Sequence, residues 1–212
     1  MNSSDLRIYF SFRSQFSWLA FHRITTTRVF DWNEIDAVPI FPFGKGANLS
    51  AGRAKSSYLR EDTERIAKAY GLTVKWPESE GDPDWFPPHQ IYLWAREQGK
   101  AIDYAREAFS ARFERGLDLA SDEVMKAAAE AVGLDGDEAL AVAHDPTWKD
   151  AIMAGFAHTR GDGAFGVPLF IYRGERFWGN DRLDWLLREI ARSEGKDLPN
   201  LAADPLAPVY ST

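Results

Sequence analysis

The chain has 212 residues, 45% of them hydrophobic, which is enough for one large domain or for one domain carrying a substantial insertion. Its formal net charge of −7 argues against a phosphate-backbone partner, because nucleic acid binding rests on a positive surface. It contains no cysteine, which removes disulfides, thiolate nucleophiles and any protein dithiol couple.

The opening Met1-Asn2-Ser3-Ser4-Asp5 has neither the basic start nor the apolar core of a signal peptide. No later apolar run approaches the ~20 residues that span a bilayer, so no membrane partner and a cytoplasmic location are expected. Leu6 to Phe12 alternates apolar and polar residues and reads as a strand. At Arg13-Ser14-Gln15 the period changes. Phe16, Leu19, Ala20 and Ile24 then recur at helical spacing, with Ser14 placed as N-cap. The β-branched run Thr25-Thr26-Thr27 should end that helix. After a turn around Asp31 to Asn33, Glu34 to Ile40 reads as a second strand, and strand–helix–strand makes one right-handed βαβ unit.

Residues 41–162 are predominantly helical. Phe41 to Ser50 is loop-like and rich in Gly and Pro, and the first long helix runs from Lys55 to Tyr70 with Gly71 as its stop. Within it Glu61 and Arg65, one turn apart, are predicted to pair at the surface. Trp76 to Pro88 is a proline-rich polar loop holding Trp76, Trp85 and Phe86. Helices follow at about 89–98, 101–115, 121–132, 135–143 and 146–158, with Ser121 and Asp135 as caps and Asp145-Pro146 as a cap followed by proline at the first helical position.

The C-terminal part begins at Gly163. Val167-Pro168 precedes the apolar run Leu169-Phe170-Ile171-Tyr172, and Arg173-Gly174 turns the chain into a second short run ending at Trp178. Asn180 or Asp181 is a natural N-cap for an amphipathic helix from Arg182 to Ile190. Proline, hairpin and helix in this order resemble the ββα half of a thioredoxin-like fold, whose proline is usually cis, and only an X–Pro bond adopts cis cheaply. The expected fold is therefore α/β: a thioredoxin-like four-stranded sheet (βαβ + ββα) from residues 1–40 and 163–192, a helical insertion over 41–162, and a tail over 193–212.

Several chemistries find no support. His22, His89, His144 and His158 lack metal-ligand spacing, and with no cysteine present no metal is expected. Gly44-Lys45-Gly46 lacks the frame of a dinucleotide or phosphate loop. The carboxylates are scattered over helix faces and read as solvated surface. Ser14 is the polar residue of interest. At a strand-to-helix junction its hydroxyl lies near free helical N–H groups that favour an anion. A plain capping serine explains the same residue on local grounds.

Tyr9-Phe-Ser-Phe-Arg-Ser-Gln-Phe-Ser-Trp-Leu-Ala20 resembles the opening motif of the 2-hydroxychromene-2-carboxylate isomerases, which belong with the kappa-class glutathione transferases in the DsbA-like branch of the thioredoxin superfamily. Phe165-Gly-Val-Pro-Leu-Phe170 and Phe177-Trp-Gly-Asn-Asp-Arg-Leu183 resemble that family's closing motifs, and Lys55 to Arg65 with Trp85-Phe86-Pro87 is similar to its middle. The resemblance implies glutathione as cofactor, a small aromatic or conjugated substrate and a homodimer. It places glutathione on the backbone of Val167 before Pro168, on the amides at Asn180 and Asp181, and on Lys55, with Asn48 as an unaligned helper. Ser14 becomes the donor to the glutathione sulfur. Gln15, Trp85, Phe86 and His89 fall near the implied substrate pocket, and Tyr92 and Trp94 could join its wall, with core packing as the competing reading for the aromatics.

The motif is not complete. Gln15 stands where the family usually has proline, Ser11 replaces an acidic residue, and His89 stands where asparagine is common. These departures leave open a different substrate, a transferase activity, or a non-catalytic ligand-binding scaffold. For Lys55 an exposed helix charge, and for Asp181 a simple cap, remain alternatives. A disulfide oxidoreductase of the same branch is excluded by the missing cysteines.

Overall fold

The computed structural model describes residues 5–27, 35–41, 53–77 and 83–195. The elements run β1 (Leu6–Phe10), α1 (Gln15–Thr27), β2 (Asp36–Pro39), α2 (Arg53–Ala69), α3 (Phe86–Glu97), α4 (Ala101–Phe113), α5 (Asp122–Ala131), α6 (Gly136–Ala143), α7 (Pro146–Asp162), β3 (Leu169–Tyr172), β4 (Glu175–Trp178) and α8 (Leu183–Ser193). The sheet order is β2-β1-β3-β4, with β1 parallel to β2 and the other pairs antiparallel. This is the thioredoxin-like sheet expected from the two ends of the chain, with six α-helices among the described residues lying in sequence between β2 and β3.

Strand periodicity divides the core. Leu6, Ile8, Phe10, Phe170 and Tyr172 enter the larger cluster, which also takes in α1, α3, α4 and α8. Their neighbours Tyr9, Val38, Ile40, Leu169 and Ile171 form a second cluster on the opposite face, closed by Phe156 of α7. Burial on both faces explains why β3 is apolar without alternation. Arg7 stitches the sheet to α7: it donates to Asp36 at 2.6 Å and to Asp162 at 2.7 Å, while the Tyr9 hydroxyl donates to Asp162 at 2.6 Å. Burial would raise the Asp162 carboxyl, but the hydrogen bonds from Tyr9 and Arg7 outweigh it and hold the group below its ordinary value.

The helix caps follow the sequence reading. Ser121 accepts from the Val124 N–H at 3.3 Å, Asp135 from Asp137 and Glu138 at 2.9 Å each, and Asp145 from Thr147 at 2.8 Å. Other details differ. β1 stops at Phe10, because the Phe12 N–H is taken by a histidine ring instead of a strand partner. α3 starts at Phe86, three residues early, since Pro87 and Pro88 occupy first-turn positions where no N–H is needed. α7 continues to Asp162 and ends at Gly163, whose φ of 60° suits the left-handed cap. Arg65 pairs with Asp62 and not with Glu61, which instead accepts from the Ser57 hydroxyl at 2.8 Å. Neither Asn180 nor Asp181 caps the last helix by its side chain; both lie in a 3-10 turn, Asn180–Arg182, that leads into α8.

Candidate functional site

Three serines organise the β1–α1 junction. The Ser14 N–H donates to the Ser11 carbonyl at 3.0 Å, and the Ser14 carbonyl accepts from Trp18 at 3.1 Å. Its hydroxyl oxygen accepts from the Ser17 N–H at 3.1 Å, so Ser14 is the N-cap of α1. The Ser11 hydroxyl accepts from the Arg13 N–H at 3.1 Å, and Ser11 itself is buried. The next amide, Phe12 N–H, donates to Nε2 of His89 at 3.0 Å, while Nδ1 of His89 lies 2.5 Å from the Trp85 carbonyl. His89 must therefore carry its proton on Nδ1, and complete burial pushes its pKa down to about 3. It is a neutral brace for the loop that presents Ser14.

Across from Ser14 lies the Val167–Pro168 bond, which is cis as the sequence led us to expect. The Ser14 hydroxyl faces the Val167 carbonyl at 3.5 Å, the outer limit of a hydrogen bond. A hydroxyl has one proton and two lone pairs. With one lone pair engaged by Ser17, this long contact is the proton's only acceptor among the described residues, and the proton can be redirected to a better one. The Pro168 carbonyl accepts from the Gly179 N–H at 2.9 Å, which fixes the 3-10 turn against the start of β3. Gly179 has φ 103°, a backbone conformation that L side chains rarely adopt, so the position favours glycine.

Ser14, Val167, Pro168 and the turn bearing Asn180 and Asp181 are thus brought together. The side chain of Asn180 points inward: Nδ2 donates to the Tyr70 hydroxyl at 3.3 Å, and Oδ1 is buried without a hydrogen-bond partner among the described residues, while the Asn180 backbone carbonyl accepts from Arg23 at 3.0 Å. Asp181 is exposed and pairs with Arg182 at 2.8 Å. Lys55 is exposed in the first turn of α2, Gln15 is half-buried at the first helical position, and Asn48 lies outside the described residues.

Four residues considered for the pocket wall belong to the core instead. Trp85, Phe86, Tyr92 and Trp94 are 3%, 7%, 1% and 7% exposed, and His89 is 0% exposed with both ring nitrogens engaged. The Phe86 ring packs edge-on against Phe41 at 4.9 Å, and the Arg112 guanidinium covers Trp85 at 4.5 Å. Arg112 carried no sequence signal, since an arginine in the last turn of a helix is also an ordinary response to the helix dipole. A cavity of about 730 Å³ lies between α1 and α4; Trp18, His22, Arg106 and Glu114 are among its walls, and Ser14, Val167, Pro168, Asn180 and Asp181 are not. Among the described residues no three His, Asp or Glu side chains are grouped to hold a metal ion, and no helix is long and apolar enough to cross a membrane.

A βαβ–ββα sheet with a polar residue at the head of α1, set against a cis-proline, defines a thioredoxin-like protein, here with serine in place of sulfur. The chain belongs to the DsbA-like thioredoxin domain family, which matches residues 5–191. It is 29% identical over 192 residues to the 2-hydroxychromene-2-carboxylate isomerase of Sphingobium xenophagum, covering 87% of this chain and 96% of that one. A structure of 2-hydroxychromene-2-carboxylate isomerase aligns with a TM-score of 0.73 at 21% identity, over 89% of this chain and 95% of the other. A probable DsbA oxidoreductase from Streptomyces coelicolor also gives 0.73, at 19% identity over 92% and 91% of the two chains. Equal scores for an isomerase and an oxidoreductase mean that the backbone alone does not select the chemistry.

Proposed function

We propose that the protein is a glutathione-dependent isomerase of the 2-hydroxychromene-2-carboxylate isomerase type, acting on a small conjugated aromatic substrate. The observation that carries this reading is the Ser14 hydroxyl at the head of α1, facing the Val167 carbonyl at 3.5 Å in a chain without cysteine. Thiol chemistry on this scaffold requires a sulfur brought in by a ligand. Bound glutathione would supply a thiolate able to add reversibly to a conjugated double bond.

Each protein group has a task that its placement supports. The Val167 backbone, just before the cis bond, offers an edge on which a peptide can pair like an added strand. The first N–H groups of the 3-10 turn at Asn180 and Asp181 lack intrahelical partners and suit a carboxylate. Asp181, exposed, can accept from an ammonium group, and Lys55 can meet a second carboxylate. The Ser14 proton, weakly held at Val167, turns to the sulfur. A hydroxyl donor beside the N-terminus of α1 favours the charged form and lowers the thiol pKa.

Titration of the wild-type protein with reduced glutathione in a calorimeter tests the reading. Saturable heat is expected, together with thiolate absorbance near neutral pH that exceeds that of free glutathione. An absence of heat would exclude a glutathione enzyme.

A further inference from the structure

The cavity between α1 and α4 has no part in the reading above. Its volume of about 730 Å³ is that of a small-ligand site, and Leu72, just past α2, and Ala131 to Gly133, at the end of α5, close it. Several of its charges are already matched. Asp103 pairs with Lys100 at 3.3 Å, and Glu107 pairs with Arg115. Two are not. Arg106 is exposed and makes no hydrogen bond or ion pair among the described residues. Glu114 is half-buried; its Oε1 accepts from the Trp18 indole N–H at 3.2 Å, and its second oxygen is unbonded among the described residues.

Both groups line the same cavity, one from within α4 and one from its C-terminal cap. From Arg106 to Glu114 the helix rises about 12 Å, at about 1.5 Å per residue, and the two side chains do not meet. The other walls admit a cation and an apolar group. The end of α5 contributes the partial negative charge of a helix C-terminus. His22 is half-buried, and burial lowers its pKa, so a neutral ring stands there near pH 7 and repels no ammonium. Leu72 and Val132 are only partly buried, which leaves apolar surface open to an occupant.

A free guanidinium and a free carboxylate on one cavity fit a ligand with both charges, held well apart. A single amino acid carries its two charges on one carbon and reaches only one of the protein groups. An extended chain of three residues spans roughly 10–11 Å and reaches both. Guanidinium is also the side chain best shaped for a carboxylate.

We propose that this cavity binds a short zwitterionic peptide of about three residues, with its carboxylate on Arg106, its ammonium on Glu114 and an apolar side chain against Leu72 and Val132. Its residues are other than those that would hold glutathione, and the inference does not depend on that reading.

The probes are the tripeptide Ala-Leu-Ala with free ends, its N-acetyl form, its C-terminal amide, and free leucine. Each is titrated by calorimetry into wild type, Arg106→Gln and Glu114→Gln; the second variant keeps an acceptor for the Trp18 indole. Wild type should bind the free tripeptide with saturable heat, and each blocked form and leucine about tenfold or more weakly, as expected for the loss of one charge-assisted contact. Arg106→Gln should bind the amide and the free peptide alike, and Glu114→Gln should do so for the N-acetyl form. No saturable heat with the free tripeptide overturns the proposal, as do equal affinities for the four probes in wild type. Preferences that persist in folded variants place the peptide elsewhere and overturn it too. Should thermal melts show a variant unfolded, a crystal of wild type soaked in the tripeptide decides: termini on Arg106 and Glu114 support the site, and any other placement or none overturns it.

Discussion

His89 should make the fold acid-sensitive well above the carboxylate range. Its folded pKa is about 3 against an ordinary value of 6.5, because burial disfavours the charged ring. The unfolded chain takes up this proton as pH falls through its own pKa, and the folded protein refuses it until much lower pH. Stability from this residue is therefore complete above the unfolded pKa and is lost progressively between the two values. From about pH 7 to about pH 5 the loss comes to about 2 kcal/mol, most of the about 1.4 kcal/mol per unit that separates pH 5 from the unfolded pKa. His89→Gln keeps an acceptor for the Phe12 N–H and removes the titration. Urea denaturation of both proteins at the two pH values isolates the residue, because every other group contributes equally to both. Wild type should lose about 2 kcal/mol more than the variant on acidification. Equal losses would refute a neutral, buried His89 and its role as brace for the Ser14 loop.

Ser14→Ala should remain folded, since losing a cap costs about 1 kcal/mol, and should still bind glutathione, but its bound thiol should titrate at higher pH; superimposed titration curves would reduce Ser14 to a cap. Lys55→Ala and Asp181→Ala should each weaken glutathione by about 1–3 kcal/mol in calorimetry, and unchanged affinity in both would return them to surface roles. Gly179→Ala forces a side chain into a left-handed backbone beside Asp181 and should destabilise by about 1–3 kcal/mol in a thermal melt. Asp162→Asn should lower the urea midpoint near neutral pH. Because the folded carboxyl is held below its ordinary value, its contribution exists above the unfolded pKa and disappears as pH falls through the folded one, so the gap between the proteins should close below about pH 4.

Much of this molecule was legible from neighbouring residues alone. The alternation in Leu6–Phe10, the proline before Leu169, the turn at Arg173-Gly174 and the caps Ser121, Asp135 and Asp145 are local devices, each acting within a few residues, and the sheet and helices follow them. The absence of cysteine settled which chemistry the scaffold does not perform by itself. The direction in which a side chain points was decided elsewhere. Trp85 and Phe86 read as pocket wall or as core, and His89 as a neighbour of the pocket; packing against α4, α7 and the end of β1 decided for the core. The Asn180 side chain met the Tyr70 hydroxyl just past the end of α2, while its backbone carbonyl met Arg23 of α1. Ser14 found its partner 153 residues away at Val167. Arg112 acquired its unbonded donors only through packing against Trp85 and Phe113. A cap or a turn is specified by the chain's own geometry over a few bonds. Burial and the pairing of polar groups depend on surfaces distant in sequence, and only the folded chain brings those surfaces together.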